Sequence, residues 1–297
     1  MAGRLAWAAV GAVFFLMTLG NVVSATGSGL ACPDWPLCHG SLIPPLRADV
    51  LIEYSHRLAA LAATVLIAAT AVLTLRRSRA PGLRRLAWLL PALLAAQIAL
   101  GGITVLLELP DLISTAHLVN ALLILAGLIV LARGVRPGAT AEPAPGRDRL
   151  RRLARVGLIV LLIQLALGGY VRHSGAGLAC PDFPLCSGDI LPQQWLAGVH
   201  WVHRWLGVLL LGLFIHLAMA GRTTAAWLVA ALAVLQVALG IAAVLLQLPP
   251  VVRAAHAAVG YSLWAMLVWV SVEAGGWRGT FAAPARSGSA QEAIRAA

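Results

Sequence analysis

VSATGSGLACPDWPLCHG, residues 23–40, and VRHSGAGLACPDFPLCSG, residues 171–188, are two copies of one segment, offset by 148 positions, with GLACPD and PLC common to both. A second pair lies further on, where QIALGGITVLLELP from Gln97 returns as QVALGIAAVLLQLP from Gln236, offset by 139. The chain is therefore an internal duplication. Around the copied loops stand the apolar runs Leu5–Val23, Leu51–Leu75, Leu86–Leu107, Leu112–Leu131, Val156–Val171, Trp195–Met219, Ala225–Leu246 and Val251–Val272. Runs of about 20 apolar residues cross a bilayer core as helices. The expected fold is all-α integral membrane: eight transmembrane helices as two duplicated four-helix bundles. An even number of crossings per unit gives both copies one orientation, as in parallel repeats related by an axis along the membrane normal. Equivalent residues then lie at equal depth. The fifth run is short, and its helix is expected to start earlier, with Arg155 reaching the interface.

Composition agrees. Of 297 residues, 60% are hydrophobic and 11% charged, against roughly a quarter charged in soluble domains, and the mean hydropathy is +0.87. This excludes an ordinary soluble globular protein. The 22 basic residues, all Arg, outnumber 11 acids for a net charge of +11, a balance that could signal nucleic acid. Their positions argue against it. Arg4, the Arg76–Arg85 and Arg133–Arg155 runs, Arg222, Arg278, Arg286 and Arg295 share one face of an eight-helix topology. Only Arg47, Arg57, Arg172, Arg204 and Arg253 fall at the other. The positive-inside rule places both termini in the cytoplasm, with membrane lipid and not nucleic acid as the surrounding partner. The expected organisation is an N-terminal bundle over 1–133, a cytoplasmic Gly/Pro/Arg-rich linker over 134–155, a C-terminal bundle over 156–273 and a cytoplasmic tail over 274–297.

The histidines repeat as well. His56 in EYSHR and His203 in HWVHR open the second helix of each unit; His117 and His256 open the fourth. Ionisable groups inside a membrane are costly and face a bundle interior. Two facing helices, each giving one imidazole, match bis-His axial ligation of haem in a four-helix bundle, and two bundles make two haem sites towards the outer face. Zinc fits less well, because each cluster offers only two obvious ligands. His216 has no counterpart and reads as a hydrogen-bonded core residue, while His39 and His173 lie in outer loops without assignment.

Cys32 and Cys38 (CPDWPLC) and Cys180 and Cys186 (CPDFPLC) lie in outer loops, on the side where bacterial disulfides persist. Each pair is either a staple over the bundle mouth or a redox-active dithiol. The duplication also separates the halves: aligning His56 with His203 sets Glu53 against His200, so only the N-terminal site has a carboxylate on the helical face of its ligand. A carboxylate beside a haem edge can accept a proton or stabilise a developing cation; the structural alternative is a hydrogen bond to an imidazole or a nearby Arg. Arg57 and Arg204, which follow the ligand histidines, and Arg253, which stands where Ser114 stands, are candidate partners for haem propionates or cations at helix ends. Trp35, opposite Phe183, is either a pocket cap or an interfacial aromatic.

In combination, the CPDxPLC loops, EYSHR, LELPDLISTAH and LQLPPVVRAAH resemble the haem A synthase family, membrane enzymes that convert haem O to haem A for terminal oxidases. The resemblance runs from Gly20 to about Val272. It implies a resident haem b held by His203 and His256 as cofactor, and haem O as substrate, held by His56 and His117. It also implies a catalytic Glu53 and a disulfide Cys32–Cys38, with Cys180–Cys186 matching members that carry cysteines in both loops. The implied reaction oxidises the C8 methyl of haem O to a formyl group by successive hydroxylations. Implied partners are haem O synthase or terminal oxidase assembly factors and an electron acceptor such as a quinone; the implied location is the bacterial inner membrane. Rival readings are a non-catalytic di-haem b electron carrier and a quinone-linked membrane thiol oxidase.

Overall fold

A computed structural model of the chain describes residues 2–134, 147–275 and 277. Eight long helices account for most of them: α1 (Ala2–Ala25), α2 (Ala48–Arg77), α3 (Pro81–Leu106), α4 (Asp111–Gly134), α5 (Arg147–His173), α6 (Trp195–Gly221), α7 (Thr224–Leu245) and α8 (Pro250–Glu273). All eight are long and apolar enough to cross a membrane, and each apolar run of the sequence falls on one of them to within a residue. Within a bilayer every backbone amide must be satisfied inside its own segment, which is why these runs are helical. Among the described residues no named strand forms. The two copied loops carry single bridges, Cys38 with Ser41 and Cys186 with Asp189.

α5 starts at Arg147, well before the apolar run. Leu150 is buried beside Gly221, Arg151 pairs with Asp148 at 2.8 Å, and Arg149 meets His216 Nε2 at 3.0 Å. His216 thus has a structural partner. Residues 135–146 of the expected linker, and residue 276 with 278–297 of the expected tail, lie outside the described residues.

α1 packs on α2 and α4, and α3 closes the ring by packing on the same two; α5 to α8 repeat the arrangement. The rings meet where α4 packs on α5 and α8, and α1 on α8. α4 and α8 are accordingly the most enclosed helices. Lipid tails are as apolar as leucine, so this junction is held by packing and hydrogen bonds. Leu122, Leu125, Leu128 and Leu131 of α4 are fully buried, the buried Trp264 indole of α8 donates to the Leu122 carbonyl (2.9 Å), and Arg133 sits over the Trp269 ring (4.4 Å) while pairing with Glu273 (2.9 Å).

Candidate functional site

Both copied loops close as disulfides, Cys32–Cys38 and Cys180–Cys186. Inside each loop an aspartate gathers the backbone. Asp34 accepts from the amides of His39 (2.6 Å) and Gly40 (2.7 Å), and Asp182 from those of Ser187 (2.7 Å) and Gly188 (3.0 Å). These bonds, from Gly40 and Gly188 foremost, hold both carboxyls below the usual carboxylate range. A depressed folded-state pKa stabilises above the unfolded value and is lost as pH falls through the folded one, so the loops loosen only in acid.

From beneath, an arginine threads each loop. Arg57 Nη1 donates to the carbonyls of Asp34 (2.8 Å) and Leu37, and its Nη2 to those of Cys32 (2.9 Å) and to Glu53 Oε1 (2.7 Å). Arg204 repeats the pattern on Asp182 (2.6 Å), Leu185 (3.1 Å) and Cys180, with Nε donating to His200 Nε2 (3.2 Å). Arg57 and Arg204, candidates for propionates in the sequence, thus spend their terminal nitrogens fixing the loops.

Glu53, His56 and Arg57 share one face of α2, and His200, His203 and Arg204 the corresponding face of α6. Glu53 is the one buried carboxylate among the described residues. Its Oε1 pairs with Arg57 and its Oε2 accepts from the Cys32 amide at 2.9 Å, so it ties the helix to the disulfide loop.

Each histidine is pressed against a glycine. A Cβ on Gly20 would lie 2.7 Å from His56 Cε1, on Gly168 2.7 Å from His203, on Gly101 3.2 Å from His117 and on Gly240 3.1 Å from His256. Nδ1 of all four rings is buried without a partner. Gln97 Nε2 meets His117 Nε2 at 3.2 Å and Gln236 Nε2 meets His256 Nε2 at 3.2 Å; Asn120 bonds to Gln97 (2.7 Å) where the second copy has Val259. Sequence reasoning missed the glutamines and glycines, although Gln97 and Gln236 open the copied segment and share its offset. Gly20→Ala and Gly168→Ala should each push an imidazole aside, since a ring cannot yield at its end as a flexible chain does. Overpacking of this kind costs roughly 1–3 kcal/mol. Each should show it as a lowered melting temperature at unchanged expression.

The α3–α4 and α7–α8 turns hold Glu108 and Leu109, and Gln247 and Leu248, at φ of 58°, 62°, 61° and 60°. Left-handed L-residues cost roughly 1–2 kcal/mol each, and the cost is met by contact: Leu109 lies on Gly29 and Leu248 on Gly177, the glycines before each CPD. Trp35 lies over Gly102 of α3, where a Cβ would come within 3.1 Å of the indole. In the second copy a smaller ring, Phe183, accompanies a larger residue, Ile241.

His203 and His256 line a cavity of about 360 Å³, mostly apolar, that also reaches Asn21, Arg172 and Arg253, within the usual ~300–1,000 Å³ of a cofactor site. Among the described residues no three His, Cys, Asp or Glu are grouped so as to hold a metal ion; His200 also borders the C-terminal cavity, but its Nε2 accepts a hydrogen bond from Arg204. Two imidazoles from facing helices, each with a buried, unpartnered Nδ1, suit axial ligation of a porphyrin iron better than a tetrahedral ion.

The fold and these sites define a class: a multi-pass membrane protein, duplicated in sequence, with a pair of imidazoles beneath each of two disulfide-closed loops. A profile of the cytochrome oxidase assembly protein family COX15-CtaA matches residues 3–53 and 49–268. The chain is 34% identical over 208 residues to a protein named heme A synthase from Symbiobacterium thermophilum (65% of this chain, 67% of that one). Against proteins of the same name it is 32% identical over 252 residues for Shouchella clausii (78% and 83%) and 30% over 200 residues for Bacillus licheniformis (66% and 65%). The chain belongs to the haem A synthase family.

The four sulfurs are buried, and thiol exchange needs access to a sulfur, which favours the staple. Replacing each cysteine pair by serine separately should cost about 2 kcal/mol of stability by loop entropy. Thermal unfolding and haem A formation measured on the same preparations check this. A loss of turnover in Cys32→Ser/Cys38→Ser at unchanged stability would return that pair to the chemistry.

Proposed function

We propose that the chain is a haem A synthase, oxidising the C8 methyl of haem O through two hydroxylations to a gem-diol that loses water and leaves the formyl group of haem A. The observation that carries the proposal is the asymmetry of two otherwise matched sites. Both have two imidazoles, an arginine-threaded disulfide loop and glycines under the rings, but only the N-terminal one has a buried carboxylate, Glu53 against His200. Chemistry is therefore assigned to the half with Glu53, where His56 and His117 hold haem O. His203 and His256 hold haem b, which when bound supplies a one-electron carrier that passes electrons to an acceptor such as a quinone. With both iron faces of the substrate taken by imidazoles, water is the favoured oxygen source, and Glu53 receives protons released at the methyl carbon. Arg57 keeps that carboxylate in place and the loop closed over it. Arginine placement supports cytoplasmic termini and sites towards the outer face of a bacterial inner membrane.

Pigment extraction from the purified protein tests the assignment. Haem O or haem A beside haem b is the expected result. Two equivalents of haem b alone would make the chain an electron carrier, and no haem would leave the cysteine loops as the site of a thiol oxidase.

A further inference from the structure

Three arginines border the C-terminal cavity: Arg204 is taken up by the loop carbonyls and His200, and the other two have no carboxylate to answer them. Arg172, near the end of α5, donates to both the side-chain and backbone oxygens of Asn21, the backbone one at 2.9 Å, and its Nε is buried without a partner. Asn21 in turn donates to the Ala254 carbonyl of α8 at 3.2 Å, beside Arg253. The Arg253 side chain makes no hydrogen bond or ion pair among the described residues. It stands in the first turn of α8, where the helix dipole is already positive, and it borders the same cavity as Arg172. Two arginines sharing one apolar cavity without a counter-charge are a poor arrangement for the protein by itself. They are a good one for a ligand that brings two anionic groups.

The same positions in the N-terminal copy are neutral. Arg172 corresponds to Ser24 and Arg253 to Ser114, whose hydroxyl is buried without a partner. The copies therefore share their imidazoles, glutamines and glycines and differ in charge at these two positions.

We propose that Arg172 and Arg253 bind the two propionate carboxylates of the C-terminal porphyrin, and that this pair, against Ser24 and Ser114, makes one site retain its haem while the other releases it. The inference rests on the two-site reading above. A synthase needs one haem that stays through every turnover and one that leaves as product, and identical ligand pairs cannot supply the difference. A carboxylate held by a guanidinium in a water-poor cavity can. Arg172 also holds Asn21 of α1, so the contact that retains the haem joins the two halves.

The test uses full-length protein in lipid nanodiscs carrying His56→Ala, so that only the C-terminal site holds haem, and follows haem b transfer to excess apomyoglobin by absorbance. A hydrogen bond to a charged group is worth roughly a factor of ten to a hundred in an equilibrium constant. Arg253→Ser, which removes no hydrogen bond from the protein, should speed haem loss by about 10-fold or more, and Arg253→Lys should recover much of the retention. Arg172→Ser should act in the same direction; because it also frees Asn21, Arg172→Lys is read beside it. In a His203→Ala background, Ser114→Arg should slow haem release from the N-terminal half. Transfer rates within twofold of the parent for Arg253→Ser and Arg172→Lys, with haem b still bound through His203 and His256, would overturn the retention role alone. Haem b lost in the His56→Ala background but kept in His203→Ala would overturn the two-site reading instead.

Discussion

Glu53→His, which gives the N-terminal copy the residue its counterpart carries at position 200, is expected to yield a folded protein that keeps haem b and forms haem A at least roughly 100-fold more slowly, the low end for a lost general base. The choice of histidine matters. Glu53 is both the candidate proton acceptor and a structural tie, bonded to Arg57 and to the Cys32 amide. Glu53→Ala would leave the half-buried Arg57 with backbone carbonyls but no counter-charge, and breaking a buried pair on one side costs roughly 3–5 kcal/mol, so its inactivity would have two explanations. The second copy shows that histidine is accepted at this place, since His200 is buried and receives a hydrogen bond from Arg204 at 3.2 Å. Haem A from a haem O-supplied preparation is measured with the melting temperature. Normal haem A formation in a stable Glu53→His protein would remove the carboxylate from the chemistry.

His203→Ala and His256→Ala are each expected to abolish the low-spin haem b spectrum of the purified protein, the largest spectroscopic change any single substitution should cause. The cavity beside them is mostly apolar, and the unpartnered ring nitrogens are the coordinating groups it offers. Losing one would remove one of the two rings proposed to hold the porphyrin. His56→Ala and His117→Ala should keep that spectrum and lose haem A formation. A full low-spin haem b signal in both C-terminal variants would displace the ligand assignment.

Helices, duplication, histidine pairs and the Glu53 asymmetry were legible in the sequence because each is carried by local periodicity or by a comparison of the chain with itself. The spacing of Glu53, His56 and Arg57 already puts them on one helical face. Where Arg57 and Arg204 point was not legible, since their partners are backbone carbonyls 19 to 25 residues away, and carbonyls leave no mark in a sequence. Gln97 was hidden differently: a lone amide in an apolar run reads as tolerated polarity until a histidine from the next helix is found against it. Arg172 was placed by the sequence only at the outer face, and its bonds to Asn21 depend on how the two halves meet, which neither half encodes alone.

The position of α4 between the two rings has a consequence for how the molecule is made. A ribosome releases α1 to α4 first, and that ring can close early, but one flank of α4 is then bare until its last neighbour exists. That neighbour is α8, and the Trp264 indole reaches the Leu122 carbonyl only on its arrival. Docking of the two rings is therefore incomplete until α8 is inserted, and a chain stopped before α8 leaves a half-covered α4 in the lipid, the kind of exposed flank that membrane quality control can recognise.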